Sequence, residues 1–489
     1  MEATVSAEAG PIDSPPYPKS SSCCSRLARM RTRTWVALYL TAFALTAAGM
    51  FIVKSRLQGV DYYRFVRTQH LVFMEFGMLA GSMLLFSRLT SAFINVVCPN
   101  SVGANGAYLL IPISERWGTI CVTDVCRSIV ALFLLLAHLS FLFYYTWVGS
   151  EPNMLAVVSL AAVGMWLHLL VFVGFGEFLH IIGATARKHC NEGLRCKLTS
   201  FVRFRDHITL WASFIALFLV LGGLHTTSSE PVVNHKQVYS KHLSSTNGAQ
   251  LKIALLTDIH IGPSVGRTRI AQIVKATNML HPDIIAISGD LADGFLVALR
   301  EAAEPLCHLK AKHGVFFATG NHEYMHGNVE EWFEFLRGCN ITVLHNENRV
   351  IKLNANDTLC MAGMDDLYAQ KANVPGHGMD IEKALHECVP GQLQVLLAHQ
   401  PNAAREVLRT YHAKYLDLIL SGHTHAGQMY MFYPIVWLAN AYTRGLYYDT
   451  RTDTHVLVSA GVNFFGPPVK MFGACEIIDI NVSAYPPSR

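Results

Sequence analysis

The chain has 489 residues, of which 51% are hydrophobic and only 15% are charged, whereas an ordinary soluble domain has about 25% charged residues. The net charge of +4 is small, and the C-terminal half has no face rich in lysine, arginine and aromatic residues, which argues against nucleic-acid binding. The length leaves room for more than one domain, and the deficit of charge lies almost entirely before residue 226.

Long apolar runs occupy the first half of the chain. Residues 1–33 form a polar tail rich in proline and serine, which is typical of disorder. The run TWVALYLTAFALTAAGMFIV is long enough to cross a hydrocarbon core of about 30 Å. Such runs lie at 34–53, 71–86, 128–148, 154–182 and 208–224. Their number, length and basic flanks disfavour buried helices of a soluble domain. We therefore predict a multi-pass transmembrane region of about five helices over residues 34–226, with the second span, which carries Glu75, as the weakest.

The basic residues beside these spans predict the orientation of the protein. Thirteen lysines and arginines flank the spans on the side of the N-terminus and six on the other side, which favours a cytoplasmic N-terminus. An odd number of spans then places everything after residue 226 in the lumen or outside the cell. Sequons at Asn340, Asn356 and Asn481 agree with that side. Five cysteines follow residue 226 and could include a disulfide there, with at least one cysteine left over.

The second half of the chain alternates short apolar runs with helical stretches. Residues 227–249 form a polar linker. From residue 250, buried strands are indicated by LKIALLTD, DIIAISGD, GVFFATGN, LCMAGMDD, QLQVLLAH and DLILSGH. HVLVSAGV and CEIIDINV add strands without helices near the end. We expect a C-terminal α/β domain over residues 250–489, with both sheet faces covered and a mixed or second sheet.

Five of the predicted strands end in residues that bind metals. Sites in α/β proteins form outside the carboxyl ends of the strands, so we expect these side chains to converge. A single histidine after a strand is more often an ordinary polar residue, but five such endings in one stretch indicate a shared site. Within TDIH and GHTH, the spacing of two residues lets both side chains point the same way from an extended backbone. The candidate ligands are Asp258, His260, Asp290, Asn321, His399, His423 and His425, with His322 beside them.

This set of donors suits particular metals. Carboxylate, imidazole and amide oxygen together favour Mn²⁺, iron or Zn²⁺ and disfavour copper or an iron–sulfur cluster. Two ions that share a bridging carboxylate need about seven protein ligands, and seven are present. Glu323 could orient His322 or a ligand through a hydrogen bond, or could equally be a surface residue. For Asp293, Asp365 and Asp366, which also follow strands, a structural role in turns is favoured.

The motifs TDIH, SGD, GNHE, AHQ and GHTH resemble the five-block signature of the calcineurin-like metallophosphoesterases, and all five blocks are complete over residues 250–489. GHTHAGQ, GLY at 445–447 and PPVK at 467–470 are most similar to the YkuE-type branch, which includes membrane-anchored enzymes that hydrolyse UDP-diacylglucosamine and related phosphodiesters. The resemblance implies a sandwich of two mixed β-sheets flanked by helices. It also implies that Asp258, His260 and His425 hold one ion, that Asn321, His399 and His423 hold a second, that Asp290 bridges both, and that His322 acts beside the scissile phosphate.

The expected activity is that of a membrane-anchored phosphoesterase with two metal ions. A hydroxide that bridges the ions would attack phosphorus directly, on a phosphodiester or pyrophosphate bond of a substrate that could be lipid-linked. One alternative is a phosphomonoesterase or protein phosphatase. Another is a non-catalytic membrane scaffold, which a missing ligand would have supported, and none is missing. The sequence gives no sign of an obligate protein partner.

Overall fold

Apolar helices fill the first half of the chain, as the hydropathy predicts. The computed structural model describes residues 32–57, 59–97, 110–114, 118–146, 148–244, 250–325, 329–471 and 475–485. The predicted tail, residues 1–33, lies outside the described residues except for its last two, which begin a helix. The chain divides into two units, residues 1–69 and residues 70–489, and each is described by itself.

Five of the described helices are long and apolar enough to cross a membrane, which confirms the predicted number. They are α1 (Thr32–Lys54), α2 (Gly59–Ala92, continued by a π-helical turn, Phe93–Val97), α3 (Val122–Thr146), α4 (Met154–Ala186) and α6 (Arg205–Ser228), while α5 (Glu192–Arg203) is short and polar. Helix α2 begins well before the predicted run at 71–86, because the polar stretch VDYYRFVRTQH contains no proline or glycine to stop it. A short antiparallel hairpin, β1 (Leu110–Ser114) and β2 (Gly118–Cys121), separates α2 from α3.

Polar side chains of the second unit's membrane helices pair with one another. Nδ1 of His138 lies 2.5 Å from a carboxylate oxygen of Glu75, and Nε2 of the same ring lies 3.0 Å from Oγ of Ser82. Nε1 of Trp166 donates to the same Oγ at 2.9 Å. Such pairing satisfies polar groups that the bilayer would otherwise leave without partners. Glu75, which made this span look weak in the sequence, therefore joins helices α2 and α3.

Two six-stranded mixed sheets form the remainder, as the sequence predicts. The first sheet has the order β3-β14-β4-β5-β6-β7 and the second has the order β12-β13-β11-β10-β9-β8. Their strands are β3 (Val232–Ser240), β4 (Gln250–Leu256), β5 (Ile284–Ser288), β6 (Val315–Ala318), β7 (Ile341–Val343), β8 (Glu347–Lys352), β9 (Thr358–Gly363), β10 (Leu393–Leu397), β11 (Leu418–Ser421), β12 (Gly445–Asp449), β13 (Thr454–Val458) and β14 (Glu476–Ala484).

Apolar side chains from both sheets form one buried layer between them, which includes Leu255, Phe316, Val395 and Leu457. Helices cover the outer faces: α7 (Arg267–Met279), α8 (Leu296–Ala303) and α10 (Val329–Gly338) lie on the first sheet, and α13 (Pro401–Val407) lies on the second. The short helices α9 (Asn321–Met325), α11 (Tyr368–Ala372), α12 (Ile381–Ala384) and α14 (Tyr433–Ala439) lie in the loops. This is a sheet-on-sheet sandwich with helices on both sides.

Residues 227–244 of the segment expected to be a linker are mostly regular structure, and residues 245–249 lie outside the described residues. Helix α6 continues to Ser228, and β3 pairs in parallel with β14 along its whole length. Strand β3 lies at the edge of its sheet, so few of its side chains need to be apolar; Val238 and Ser240 are its buried positions. A polar edge strand has the composition of a linker, which explains the mistake.

The cysteines of the second half form two disulfides, Cys307–Cys339 and Cys360–Cys388. Cys475 is a buried free thiol. The odd number of cysteines therefore leaves one over, as expected.

The sandwich packs directly on the membrane helices of its own unit. A Cβ atom on Gly223 of α6 would lie 2.5 Å from Cγ1 of Val469, and one on Gly164 of α4 would lie 3.1 Å from Cγ2 of the same valine. The hydroxyl of Thr227 donates to the carbonyl of Pro468 at 2.7 Å, and the backbone N–H of Arg267 donates to the carbonyl of Ser150 at 2.8 Å. Glycines on the helices thus let the loop around Val469 approach closely.

Candidate metal centre

The predicted ligands converge because the strands that carry them end at the same edge of the sandwich. Strands β4, β5 and β6 are parallel neighbours in the first sheet, and β10 and β11 are parallel neighbours in the second. Each ligand follows the carboxyl end of one of these strands. Six of the seven are buried, and His423 is partly exposed.

One group of ligands contains Asp258, His260 and His425. Nε2 of His260 lies 3.0 Å from Nε2 of His425, and Nε2 of His425 lies 3.3 Å from Oδ1 of Asp258. These distances match the spacing of about 3.0–3.3 Å between ligands that surround one ion with bonds of about 2.1 Å. The second nitrogen of His260 faces away, 2.7 Å from Asp293, so Nε2 is left to face His425.

A second group contains Asp290, His399 and His423. Nδ1 of His399 donates to the carbonyl of Ser288 at 2.8 Å, so Nε2 is the ring nitrogen that faces the site. That Nε2 lies 3.1 Å from Oδ2 of Asp290, and within the described part of the chain no hydrogen-bond donor reaches it. Burial would lower the pKa of His399, but Asp290 raises it well above its usual value. A cation therefore fits between Nε2 and this carboxylate oxygen: a proton, or a metal ion that replaces the proton. Asn321 adjoins this group, with Oδ1 2.8 Å from Nδ1 of His423.

Asp290 lies between the two groups. Its Oδ2 is 3.1 Å from Nε2 of His399 and 3.8 Å from Nε2 of His260. The residues present therefore fit two ions that share one carboxylate. His322 is adjacent, with Nε2 3.9 Å from the same Oδ2. The structure brings together all eight residues that the sequence singled out, while the assignment of each ligand to one ion stays a prediction.

The backbone at the ligands differs from the extended conformation that we expected. Asp258, His260 and Asp290 have φ angles of 55°, 49° and 53°, and His423 and His425 have φ angles of 70° and 48°. Left-handed conformations cost about 1–3 kcal/mol for residues other than glycine and concentrate at functional sites. The ligand side chains therefore project from tight turns after the strands, because a straight strand would carry the chain past the centre.

Glycines next to the ligands permit the close approach of two of these turns. A Cβ atom on Gly320 would lie 2.3 Å from Oδ1 of Asp290, and one on Gly422 would lie 2.4 Å from Oδ2 of Asp258. No Cβ atom fits at such distances, so only glycine allows these carboxylates to reach the centre.

Asp293 has a role that the sequence did not reveal. Its Oδ1 lies 2.7 Å from Nδ1 of both His260 and His322, and it is 4% exposed. A carboxylate on the far nitrogen of a metal-binding histidine fixes the orientation and protonation of the ring. The expectation of a purely structural turn for Asp293 is therefore wrong, and the motif GDLADG, an ordinary turn sequence, does not by itself reveal the contact with two histidines.

Glu323 is buried rather than on the surface. Its carboxylate accepts hydrogen bonds from the backbone N–H groups of Asp290, Leu291 and Gly320, at 3.1, 2.8 and 2.6 Å. It therefore holds the turn that carries Asp290, which agrees with the expectation that Glu323 orients a predicted ligand through a hydrogen bond. Asp365 belongs to neither group and accepts from His345 at 2.7 Å. Asp366 accepts from the side chain of Gln400, the residue after His399, at 2.7 Å.

The electrostatics of the site keep Asp290 charged. Burial would raise the pKa of Asp290, but His399 and His322 outweigh burial and hold that pKa well below its usual range. Burial and the nearby His399 together lower the pKa of His423 to about 4. Burial also acts to lower the pKa of His322, but Asp290 and Asp293 overcome it and raise the pKa to about 9. At pH 7 the ring of His423 is therefore neutral and able to act as a ligand, whereas His322 carries a proton.

The sequence of this chain is similar to those of known metallophosphoesterases. The model of the calcineurin-like phosphoesterase family matches residues 251–427. The chain is 44% identical over 480 residues to the putative metallophosphoesterase F40B5.2 of Caenorhabditis elegans, covering 94% of this chain and 98% of that protein. It is 36% identical over 418 residues to the transmembrane protein with metallophosphoesterase domain of Danio rerio, covering 85% and 89%. YkuE of Bacillus subtilis is 27% identical over 232 residues, covering 46% and 77%.

Proposed function

Because this chain belongs to the calcineurin-like metallophosphoesterase family, we propose that it hydrolyses phosphodiester or pyrophosphate bonds of a lipid-linked substrate at the two ligand groups that share Asp290. Family membership makes the chain a metal-dependent phosphoester hydrolase, and its five apolar helices make it a multi-pass membrane protein. The observation that carries the rest of the proposal is the pair of buried ligand groups on either side of one carboxylate.

The proposed ligands divide between two ions. Asp258, His260 and His425 would hold one ion, Asn321, His399 and His423 would hold the other, and Asp290 would be shared by both. Carboxylate and imidazole donors favour manganese, iron or zinc at such positions. When bound, two such ions supply positive charge and an activated hydroxide for direct in-line attack on phosphorus.

His322 is the proposed proton donor. Its Nδ1 faces Asp293 at 2.7 Å, so the opposite nitrogen, Nε2, faces the ligand groups. The raised pKa of about 9 keeps the ring protonated near neutral pH. A proton from Nε2 to the departing oxygen lets an alkoxide leave as an alcohol, an effect typically worth about 10²–10⁴ in rate.

The membrane helices favour a substrate in or at the bilayer. The loop around Val469 packs against Gly223 and Gly164 of two membrane helices. Gly461, eight residues before Val469, lies against the predicted ligand Asp258, since a Cβ atom on Gly461 would lie 2.8 Å from Cβ of Asp258. The metal centre is thus held close to the membrane region. The similarity to the YkuE-type branch supports a diester or pyrophosphate-linked lipid over a phosphomonoester.

The proposed orientation places the phosphoesterase domain in the lumen or outside the cell. Ser150, before helix α4, and Ser229, after α6, contact this domain. The opposite end of α4 is followed by basic residues such as Arg187 and Lys188, which favour the cytoplasm. Two disulfides in the domain agree with an oxidising compartment. We divide the chain accordingly into a membrane region over residues 34–226 and a catalytic domain that begins with β3, at Val232.

The test uses the full chain in lipid nanodiscs, with Mn²⁺ and Zn²⁺ titrated against a phosphomonoester, a soluble diester and a pyrophosphate-linked lipid. We expect the diester and the lipid to be hydrolysed with metal dependence, and the Asp290→Asn variant to be inactive. Turnover of the monoester alone would overturn the substrate class in favour of a phosphomonoesterase. No turnover of any substrate would favour the scaffold.

A further inference from the structure

A stretch without charge follows the last predicted metal ligand. Between His425 and Arg444, the sequence AGQMYMFYPIVWLANAYT contains no charged side chain. Five large apolar or aromatic residues of this stretch are exposed, and we call them the apolar ridge: Tyr430, Tyr433, Ile435, Trp437 and Leu438. The exposed fractions of Ile435, Trp437 and Leu438 are 62%, 61% and 76%. Contiguous exposed apolar surface of this kind marks a binding site or a membrane contact.

The ridge begins where the catalytic domain meets the membrane helices. Met429 and Phe432, which precede and interrupt the ridge, pack in one cluster with Val220 of α6 and Met165 of α4. Both helices are membrane spans. The ridge is therefore the continuation, on the catalytic domain, of a surface that already lies against the membrane region, and this continuity identifies a bilayer as the occupant.

The other side of the ridge is joined to the metal centre. Gly427, two residues after His425, has a φ of 80°, and a Cβ atom there would lie 2.9 Å from Cα of Tyr433. The first residue of helix α14 thus rests on the turn that carries a predicted ligand. Gln428 links this turn to Phe465, because its side-chain amide accepts from the N–H and donates to the carbonyl of Phe465, both at 2.9 Å. The Phe465 ring, 45% exposed, lies 4.9 Å from the ring of His322.

We propose that the apolar ridge inserts into the interfacial layer of the bilayer and thereby holds the metal centre at the level of the lipid headgroups. The inference rests on the proposed function for its consequence, since a site at that level reaches a phosphate bond of a membrane lipid without extracting the lipid. The composition fits the location: tryptophan and tyrosine concentrate at membrane–water interfaces, and isoleucine and leucine extend below them. Val297, which is 86% exposed on helix α8, is an isolated apolar residue and serves as a control.

The first experiment detects insertion without any need for activity. Full-length protein and its Trp437→Phe variant are placed in nanodiscs of ordinary and of dibrominated phospholipid, and the difference between their emission spectra gives the signal of Trp437. We expect that signal to be quenched by the brominated lipid. The Trp332→Phe variant is the matched control, since Trp332 is buried in the catalytic domain and its difference signal should be unaffected. An unquenched Trp437 would overturn the proposal, and crosslinking of two chains through the ridge would assign the surface to a second copy instead.

The second experiment separates the ridge from the chemistry. The triple variant Ile435→Ser, Trp437→Ser and Leu438→Ser is compared with Val297→Ser on a lipid phosphodiester and on a soluble diester, with metal content as a check of folding. We expect turnover of the lipid to fall about tenfold, equivalent to about 1.4 kcal/mol, with the soluble diester unchanged. Equal turnover of both substrates by the triple variant and the wild type would overturn the role of the ridge. Quenching of Trp437 with no turnover of either substrate would refute the proposed function and leave the membrane contact standing.

Discussion

Replacing Asp293 with asparagine tests whether one carboxylate holds two histidines of the metal centre. Its Oδ1 lies 2.7 Å from Nδ1 of both His260 and His322. Asparagine has nearly the same volume, so packing is preserved, but its neutral amide accepts weaker hydrogen bonds and no longer offers a charge to either ring. Loss of such an outer hydrogen bond typically costs about 10–100-fold in metal affinity or activity. We expect the upper end of that range, because a single carboxylate serves both rings.

The assay measures metal affinity and activity separately. Full-length protein in nanodiscs is stripped with a chelator and titrated with Mn²⁺, and hydrolysis of a soluble diester is followed at each concentration. The matched control is Asp365→Asn, since Asp365 is also buried and bonded to a histidine at 2.7 Å but lies outside the two ligand groups. The reasoning is refuted if Asp293→Asn keeps the metal affinity and the kcat of the wild type, or if the control loses as much as Asp293→Asn.

Three further outcomes are expected. Asp290→Asn should abolish hydrolysis without unfolding the domain, which circular dichroism and activity together can check. Full activity of this variant would refute the role of Asp290 as the shared ligand. Gly223→Leu should destabilise the protein by about 1–3 kcal/mol through overpacking against Val469, whereas Gly222→Leu should not, because nothing lies within 4 Å of its Cβ position; equal unfolding temperatures would contradict this. For Glu476, burial raises the pKa, but bonds from Arg444 and from the backbone hold the pKa below its usual 4.5. The stabilising effect of the Glu476 carboxylate should therefore be present above pH 4.5 and be lost as the pH falls through the folded-state pKa. The unfolding temperatures of Glu476→Gln and the wild type should then converge in acid. A difference in unfolding temperature that stays constant with pH would contradict this.

The ligands could be predicted because their position is tied to the strands. Each of Asp258, Asp290 and His399 follows a run of apolar residues, and parallel strands carry their carboxyl ends to one edge. The conformation of the turns could not be predicted in the same way. Left-handed φ angles at Asp258 and His425 depend on neighbours distant in the chain, such as Gly461 beside Asp258, and no local pattern records them.

Features that depend on pairing between distant segments were missed or left open. Strand β3 looked like a linker because an edge strand needs little apolar surface, and its partner β14 lies at the other end of the domain. The disulfide partners of Cys307 and Cys360 could not be chosen from spacing alone. The role of Asp293 required the geometry of two histidines from different loops, since GDLADG by itself is an ordinary turn sequence.

The position of β14 in the first sheet affects how the domain folds during its synthesis. This strand lies between β3 and β4, which leave the ribosome before the other strands of the two large sheets, while β14 is the last of the described strands to emerge. During translation, β3 and β4 therefore have no neighbour on the sides that face each other, and their free edges can pair with other chains. The sheet closes only when the last strand is inserted, so folding of this domain must follow, rather than accompany, its passage from the ribosome.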